Sequence, residues 1–293
     1  MMKYSALKKY ASNLALIALL LALTAVPALV GVGYGVLASV GYFRPAGESG
    51  FTLRHYAALW ESGDLFRSLG FTLGIAVVAT VLSFAVALLL AISVRGASRL
   101  NRWNRFLIQT PLPFPHLVVA VFTVLFLTQS GLVPRLLYAL GLIASQESFT
   151  ELVYDRFGIG ILLVFLWKEV PFLAVVMLAV LGSASARYEA VAQSLGATPW
   201  QRFRFITLPV LTRGAVPSLV LVFTFIVGAF EVPLLVGPTY PPMLSVLTVQ
   251  RYSAANLDFR GEAFALSTMI AALMILLTGI YAATESRKAI RKI

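Results

Sequence analysis

Three charged residues stand inside segments that are otherwise apolar. Lys168 and Glu169 interrupt the run 158–182, and Glu231 interrupts the run 214–236. An ionised side chain at the centre of a bilayer costs at least about 2.5–3.5 kcal/mol, so each must face protein or water. One interpretation is a structural ion pair, for instance Lys168 with Glu231. The other is a polar lining or gate along a pathway, where the two acids would suit a cation and Lys168 would not.

No group of residues suited to catalysis stands out. The sequence has no cysteine, which excludes disulfides and thiol chemistry. Its two histidines, His55 and His116, lack nearby partners and are expected to be structural or surface residues. No Gly-x-x-x-x-Gly-Lys-Ser/Thr pattern occurs, so the chain has no such phosphate-binding loop. We therefore expect no enzyme, no metal site and no cofactor held by this chain.

The polar segment 183–213 carries a second pattern, with apolar residues at helical spacing. Gly196 is expected to end one short helix. Thr198 is expected to N-cap a second helix, with Pro199 at its first position. Pro209 is expected to end that helix before the next apolar run. The apolar positions are Ala192, Leu195, Trp200, Phe203 and Ile206.

The elements that must position these residues are membrane-spanning helices. The 293 residues are 59% hydrophobic and 12% charged, with a mean hydropathy of +0.88. A soluble domain has roughly 45–50% apolar and about 25% charged residues. Six apolar runs are each long enough to cross a hydrocarbon core of about 30 Å, which predicts an all-α membrane protein. The runs are about 12–36, 69–94, 108–130, 158–182, 214–236 and 264–284.

The six runs divide unequally along the chain. Residues 1–68 are expected to hold the first helix and an outer loop, and residues 69–293 a core of five helices with the loop 183–213. The first run follows Lys3 and Lys8 as a secretory signal would. It continues to about residue 40, beyond the usual 7–15 apolar residues of a signal, so an uncleaved helix is expected.

The net charge of +11 is unevenly distributed between the loops. With the N-terminus inside, the cytoplasmic segments hold 15 Lys/Arg and two acids, whereas the outer loops hold 7 Lys/Arg and eight acids. Basic residues collect on the cytoplasmic side, so both termini should lie there. The basic residues form no stripe, and nucleic acid is not an expected partner. The cytoplasmic segments are 1–11, 95–107, 183–213 and 285–293.

The loop matches a known sequence pattern, which is Glu-Ala-Ala, three residues, Gly, nine residues, Ile, one residue, Leu-Pro. It resembles the cytoplasmic EAA loop of type I ABC importer permeases, and the likeness extends from about Leu69 to Thr284. Ala190 occupies the position of the family's Glu, and the only acid, Glu189, is one residue early. That shift rotates a helical side chain by about 100°. The residues that match are Ala192, Gly196, Ile206, Leu208 and Pro209.

This resemblance implies a multi-pass permease of the bacterial inner membrane. Its loop would form a coupling helix seated on one of two ATP-binding subunits, which would hold ATP and Mg²⁺. The partners would be a second permease, either a copy or a homologue, and an extracytoplasmic solute-binding protein, with lipid around them. The segment Gly228–Pro233 is similar to permeases for polyamines, while sugars, phosphonates, thiamine and ferric iron stay open. The alternative is a channel or secondary transporter without an ATPase.

Overall fold

Helices joined by turns and loops make up the part of the chain that the computed structural model describes, which comprises residues 2–43, 45, 47, 50–94, 99–182 and 186–290. Residues 95–98, 183–185 and 291–293, which belong to the expected cytoplasmic segments, lie outside the described residues. The helices are α1 (Met2–Ser39), α2 (Arg54–Ser62), α3 (Asp64–Ser93), α4 (Arg99–Gln109), α5 (His116–Leu127), α6 (Leu132–Ala139), α7 (Ile159–Val180), α8 (Ala186–Ser194), α9 (Pro199–Arg202), α10 (Leu208–Gly228), α11 (Glu231–Val236), α12 (Leu244–Tyr252) and α13 (Asp258–Ile290).

Six helical stretches of the described chain are long and apolar enough to cross a membrane, which confirms the predicted number. The third stretch begins later than the predicted 108–130, because the chain is irregular between α4 and α5. The fifth both begins and ends earlier than the predicted 214–236. The stretches are Leu16–Ser39, Asp64–Ser93, His116–Ala139, Ile159–Val180, Pro199–Gly228 and Asp258–Thr284.

The described chain divides into two compact units, of which the first comprises Met1–Ser62 and Thr248–Ala272. Phe264 is its aromatic centre, with the ring centroids of Tyr34 and Phe43 at 5.7 and 5.3 Å. His55 is buried with its imidazole against Gly261, where any side chain would collide with the ring. A glycine is therefore required at position 261.

The second unit comprises Gly63–Leu247 and Leu273–Ile293 and contains the predicted site residues. Its centre is the packing of α3 along α7 and α10. The face of α3 buried there carries small side chains, among them Ala76, Ala79 and Ala87. Small residues let membrane helices approach closely and gain van der Waals contact. The opposite face exposes Val81 and Leu89, as a lipid-facing surface would.

Candidate functional site

The segment after the fourth span folds as two short helices joined by a sharp turn. Gly196 lies beyond the end of α8 with a φ of +84°, in the left-handed region that favours glycine. Its N–H donates to the Gln193 carbonyl at 3.0 Å, and the N–H of Ala197 donates to the Ala192 carbonyl at 2.9 Å. These bonds satisfy carbonyls that the helix end would leave unpaired. The predicted role of Gly196 in ending the first helix is confirmed.

Thr198 and Gln201 form a reciprocal cap at the start of α9. The Gln201 N–H donates to Thr198 Oγ1 at 3.3 Å, and the Thr198 N–H donates to Gln201 Oε1 at 2.8 Å. Pro199 occupies the first turn, where its missing N–H costs nothing. The predicted cap and proline position are confirmed.

Two side-chain bridges fix α8 to the chain that follows it. Arg202 Nη1 donates to Gln193 Oε1 at 2.9 Å, and Thr207 Oγ1 donates to Glu189 Oε1 at 2.6 Å. Thr207 is fully buried, so the Glu189 carboxylate is turned towards the interior of the loop. Ala190, which stands where the pattern has its acid, is exposed and carries no charge.

The exposed face of α8, α9 and the π-helical turn Phe203–Thr207 is apolar. We call Tyr188, Val191, Leu195, Trp200 and Phe205 the apolar loop surface; Leu195 is 82% exposed and Phe205 74%. An open groove of about 630 Å³ runs between α8 and the start of α10. Large exposed apolar patches mark sites of protein or membrane contact. The groove is lined by Tyr188, Val191, Ala192, Leu195, Phe205, Ile206, Pro209, Val210 and Arg213.

The structure therefore brings most of the predicted loop residues together. Ala192, Ile206 and Pro209 line the groove, and Gly196 borders an adjoining hollow of about 460 Å³. Leu208 is half-buried and begins α10.

The expectation that Pro209 ends a helix is wrong. A π-helical turn, Phe203–Thr207, joins α9 to α10, and Pro209 lies in the first turn of α10. Proline cannot donate to the carbonyl four residues back. The wider π turn, in which the Leu208 N–H bonds the Phe203 carbonyl, carries the helix past this defect.

Lys168 supports the break between α4 and α5. Its Nζ donates to the carbonyls of Pro111 at 3.1 Å, Leu112 at 3.0 Å and Phe114 at 2.6 Å. Pro115 has no N–H for the Pro111 carbonyl, which accepts instead from the Lys168 side chain and from the Phe114 N–H at 3.3 Å. Lys168 is nine residues into α7, about 14 Å along the helix. The break between α4 and α5 therefore lies beside the middle of α7.

Glu169 contacts His116, the first residue of α5, with Nε2 and Oε1 3.0 Å apart. The expectation that His116 lacks a partner is wrong, and His55 also has one. Sequence reasoning assigned His116 no site role, although a polar residue directly after a proline turn inside an apolar run was the available signal. The Phe225 ring of α10 lies 4.8 Å from the imidazole, between centroids.

Glu231 lies apart from this cluster. It begins α11, is exposed, and has no hydrogen-bond or ion-pair partner among the described residues. An ion pair between Lys168 and Glu231 is therefore not formed in this chain. The same described residues contain no group of three or more His, Asp or Glu that could hold a metal ion.

A helix break directly precedes Glu231. It falls at Ala229 and Phe230, while Pro233 sits inside α11. Pro233 cannot donate to the Ala229 carbonyl four residues back, and Ser245 Oγ donates to that carbonyl instead, at 2.5 Å. A residue of α12 therefore satisfies the Ala229 carbonyl that Pro233 leaves without a helical donor.

A family model described as "Binding-protein-dependent transport system inner membrane component" matches residues 83–290. The chain is similar to the inner membrane ABC transporter permease protein YnjC of Escherichia coli (strain K12), with 28% identity over 255 residues that cover 85% of this chain and 46% of YnjC. It is also similar to the permease protein YdcU of the same organism, with 26% identity over 196 residues that cover 64% of this chain and 62% of YdcU. The matched region thus spans about half to three fifths of these relatives.

The fold of this chain is similar to that of a solved structure. It is the crystal structure of a bacterial alginate ABC transporter in complex with alginate pentasaccharide-bound periplasmic protein. The TM-score is 0.71 at 21% identity, over 98% of this chain and 96% of that chain. The predicted fold is confirmed.

Proposed function

Because this chain belongs to the family of binding-protein-dependent transport system inner membrane components, we propose that it carries a small solute inward across the membrane with energy from ATP hydrolysed on separate subunits. An extracytoplasmic binding protein delivers the solute. Two ATP-binding subunits hold ATP and Mg²⁺ on the cytoplasmic side, and this chain performs no catalysis. It pairs with a second permease, a copy of itself or a homologue.

The observation that carries this proposal is the apolar loop surface. Its side chains stand on helices that a glycine turn, a reciprocal cap and two side-chain bridges hold in place. A rigid apolar helix face of this kind suits a groove on a partner protein. The basic residues of the neighbouring segments favour the cytoplasmic side, where ATP is available.

The proposed mechanism is a rigid-body motion driven through this surface. Closure of the two ATP-binding subunits brings the loops of both permeases together. Since α9 passes into α10 without a break in the helix, the fifth span moves with the loop. The spans then rotate between inward-open and outward-open arrangements.

The solute of the proposed importer is a small organic molecule, and a polyamine is the preferred candidate. Glu231 supports this choice, because an exposed carboxylate in an apolar segment requires water, a partner protein or a cation. Lys168 and Glu169 adjoin the pathway in this scheme and act from buried positions.

Affinity purification tests the proposal. Tagged chain purified from the membranes of its own host should retain an ATP-binding subunit. Leu195→Asp should reduce retention more than tenfold, because burying a leucine contributes about 1.5–3 kcal/mol and the carboxylate adds a desolvation cost. Leu142→Asp, at an exposed leucine on the expected outer side, is the control and should retain the subunit.

Two results would contradict the proposal. Equal retention by both variants would remove the apolar loop surface as the docking site. Solute flux that persists without ATP would favour a channel or a secondary transporter.

A further inference from the structure

The two side chains of the His116–Glu169 contact differ in their exposure. The Glu169 side chain is 8% exposed, whereas that of His116 is 26% exposed. Phe225, whose ring lies beside the imidazole, is 41% exposed. His116 and Phe225, which we call the His116–Phe225 face, therefore present an open surface, and Glu169 lies behind it.

The open side of the imidazole has unused hydrogen-bonding capacity. Glu169 engages Nε2, and Nδ1 has no hydrogen-bond partner among the described residues. A polar atom left unpaired in hydrocarbon costs free energy, so lipid is an unfavourable neighbour for this edge. Water, a solute or another protein must face it.

The charges around the face favour a cationic ligand. A carboxylate can only accept, so the Nε2–H of His116 donates to Glu169, and in that tautomer of the imidazole Nδ1 is an acceptor. The Phe225 ring adds the negative face of its π system. The Lys168 ammonium is engaged by three backbone carbonyls.

We propose that His116 is a solute-contacting, specificity-determining residue that binds the ammonium group of a small amine, and that Glu169 is a positioning residue that orients its ring. This inference rests on the proposed transport function and names the chemistry of its solute. Phe225 packs against the imidazole and covers the apolar part of the solute.

The absence of cysteine makes the face directly testable, because any single introduced thiol is unique in the chain. The variants are His116→Cys and Phe225→Cys, with Val119→Cys as a buried control on α5. Each variant is assembled into the whole importer in membrane vesicles. The vesicles are then treated with a methanethiosulfonate reagent that carries either a trimethylammonium or a sulfonate group. Rates are divided by those of Leu142→Cys, an exposed reference, to remove the intrinsic difference between reagents.

We expect both face thiols to react and the buried control not to react. The normalised rate with the cation should exceed that with the anion about tenfold, since clefts of one charge concentrate the opposite ion. Putrescine should slow the labelling of Phe225→Cys, and mannitol should not. Unreactive thiols at both face positions would overturn the inference and indicate that the second permease covers this face. A preference for the anionic reagent would overturn the ammonium assignment.

The role of Glu169 is tested in the Phe225→Cys background. Glu169→Gln still accepts from Nε2 and removes the charge, so putrescine protection should persist while the preference for the cation falls several-fold. Glu169→Leu releases the ring, so protection should be lost in protein that still elutes as a folded complex. Equal protection in both variants would contradict positioning.

The two proposals fail in different ways. Unreactive face thiols with a retained ATP-binding subunit would remove only this inference. Loss of that subunit from the unmodified chain would remove the proposed function itself.

Discussion

The hydroxyl of Thr207 donates a 2.6 Å hydrogen bond to the carboxylate of Glu189, across the turn that separates α8 from α10. Glu189 is the one acid of the loop, and this contact directs it inward. Glu189 therefore stabilises the loop by linking α8 to the chain that leads into α10.

Replacing Glu189 should weaken this link. Glu189→Ala removes a charge-assisted hydrogen bond and leaves the buried Thr207 hydroxyl only its 3.4 Å contact with the Arg202 carbonyl, at a cost of about 1.5–3 kcal/mol. Thermal unfolding in detergent should show a lower Tm, and solute-dependent ATPase activity should fall. Glu189→Gln keeps an acceptor and should retain most of both. Equal losses in the two variants would point to the charge rather than the hydrogen bond.

Gly196 should tolerate asparagine better than valine. A Cβ at this position meets open space, so the penalty arises from the backbone, at about 1–2 kcal/mol for a left-handed residue and more for a β-branched one. Gly196→Val should uncouple ATP hydrolysis from uptake without affecting membrane insertion, whereas Gly196→Asn should stay coupled. ATPase and uptake assays in proteoliposomes measure this. Normal solute-stimulated ATPase in Gly196→Val would count against the coupling role.

Lys168 should be essential for folding rather than only for transport. Lys168→Met removes the donor to three partly buried carbonyls, of which that of Pro111 keeps the Phe114 N–H, and a hydrogen bond to a charged group contributes about 1.5–3 kcal/mol. We expect a large loss of monodisperse protein in size-exclusion chromatography. Lys168→Arg should recover much of it, and Leu163→Met on the same helix is the control. Wild-type yield from Lys168→Met would refute this assignment.

Ser245 should stabilise the end of the fifth span. Ser245→Ala removes the donor to the Ala229 carbonyl, and hydrogen bonds between membrane helices contribute about 0.6–2 kcal/mol. A decrease in Tm of a few degrees is expected. Ser93→Ala is the comparison, since its hydroxyl is exposed and bonds a carbonyl of its own turn. If both serine variants unfold at the same temperature, the contact contributes nothing.

The sequence predicted those features that depend on neighbouring residues. The number of spans follows from apolar length, and the turn at Gly196 with the cap at Thr198 follows from local backbone preference. Each of these is decided within a few residues.

Features that depend on distant partners were not predictable in this way. The hydroxyl that donates to the Ala229 carbonyl belongs to Ser245. The side chain that donates to the Pro111 carbonyl belongs to Lys168. Proline marks where a carbonyl loses its bond, four residues earlier, but not which residue replaces that bond. The contact between His116 and Glu169 could not be predicted for the same reason, because the two residues are 53 positions apart in the sequence.

The π turn between α9 and α10 also has a mechanical consequence. Pro199–Gly228 becomes one continuous helical stretch of 30 residues, about 45 Å long, that ends at the break at Ala229. In the proposed mechanism, a displacement at Trp200 passes along this stretch towards Phe225, and Pro217 is the position within α10 where the helix can bend. Because the helix ends at Ala229, α11 need not follow that displacement.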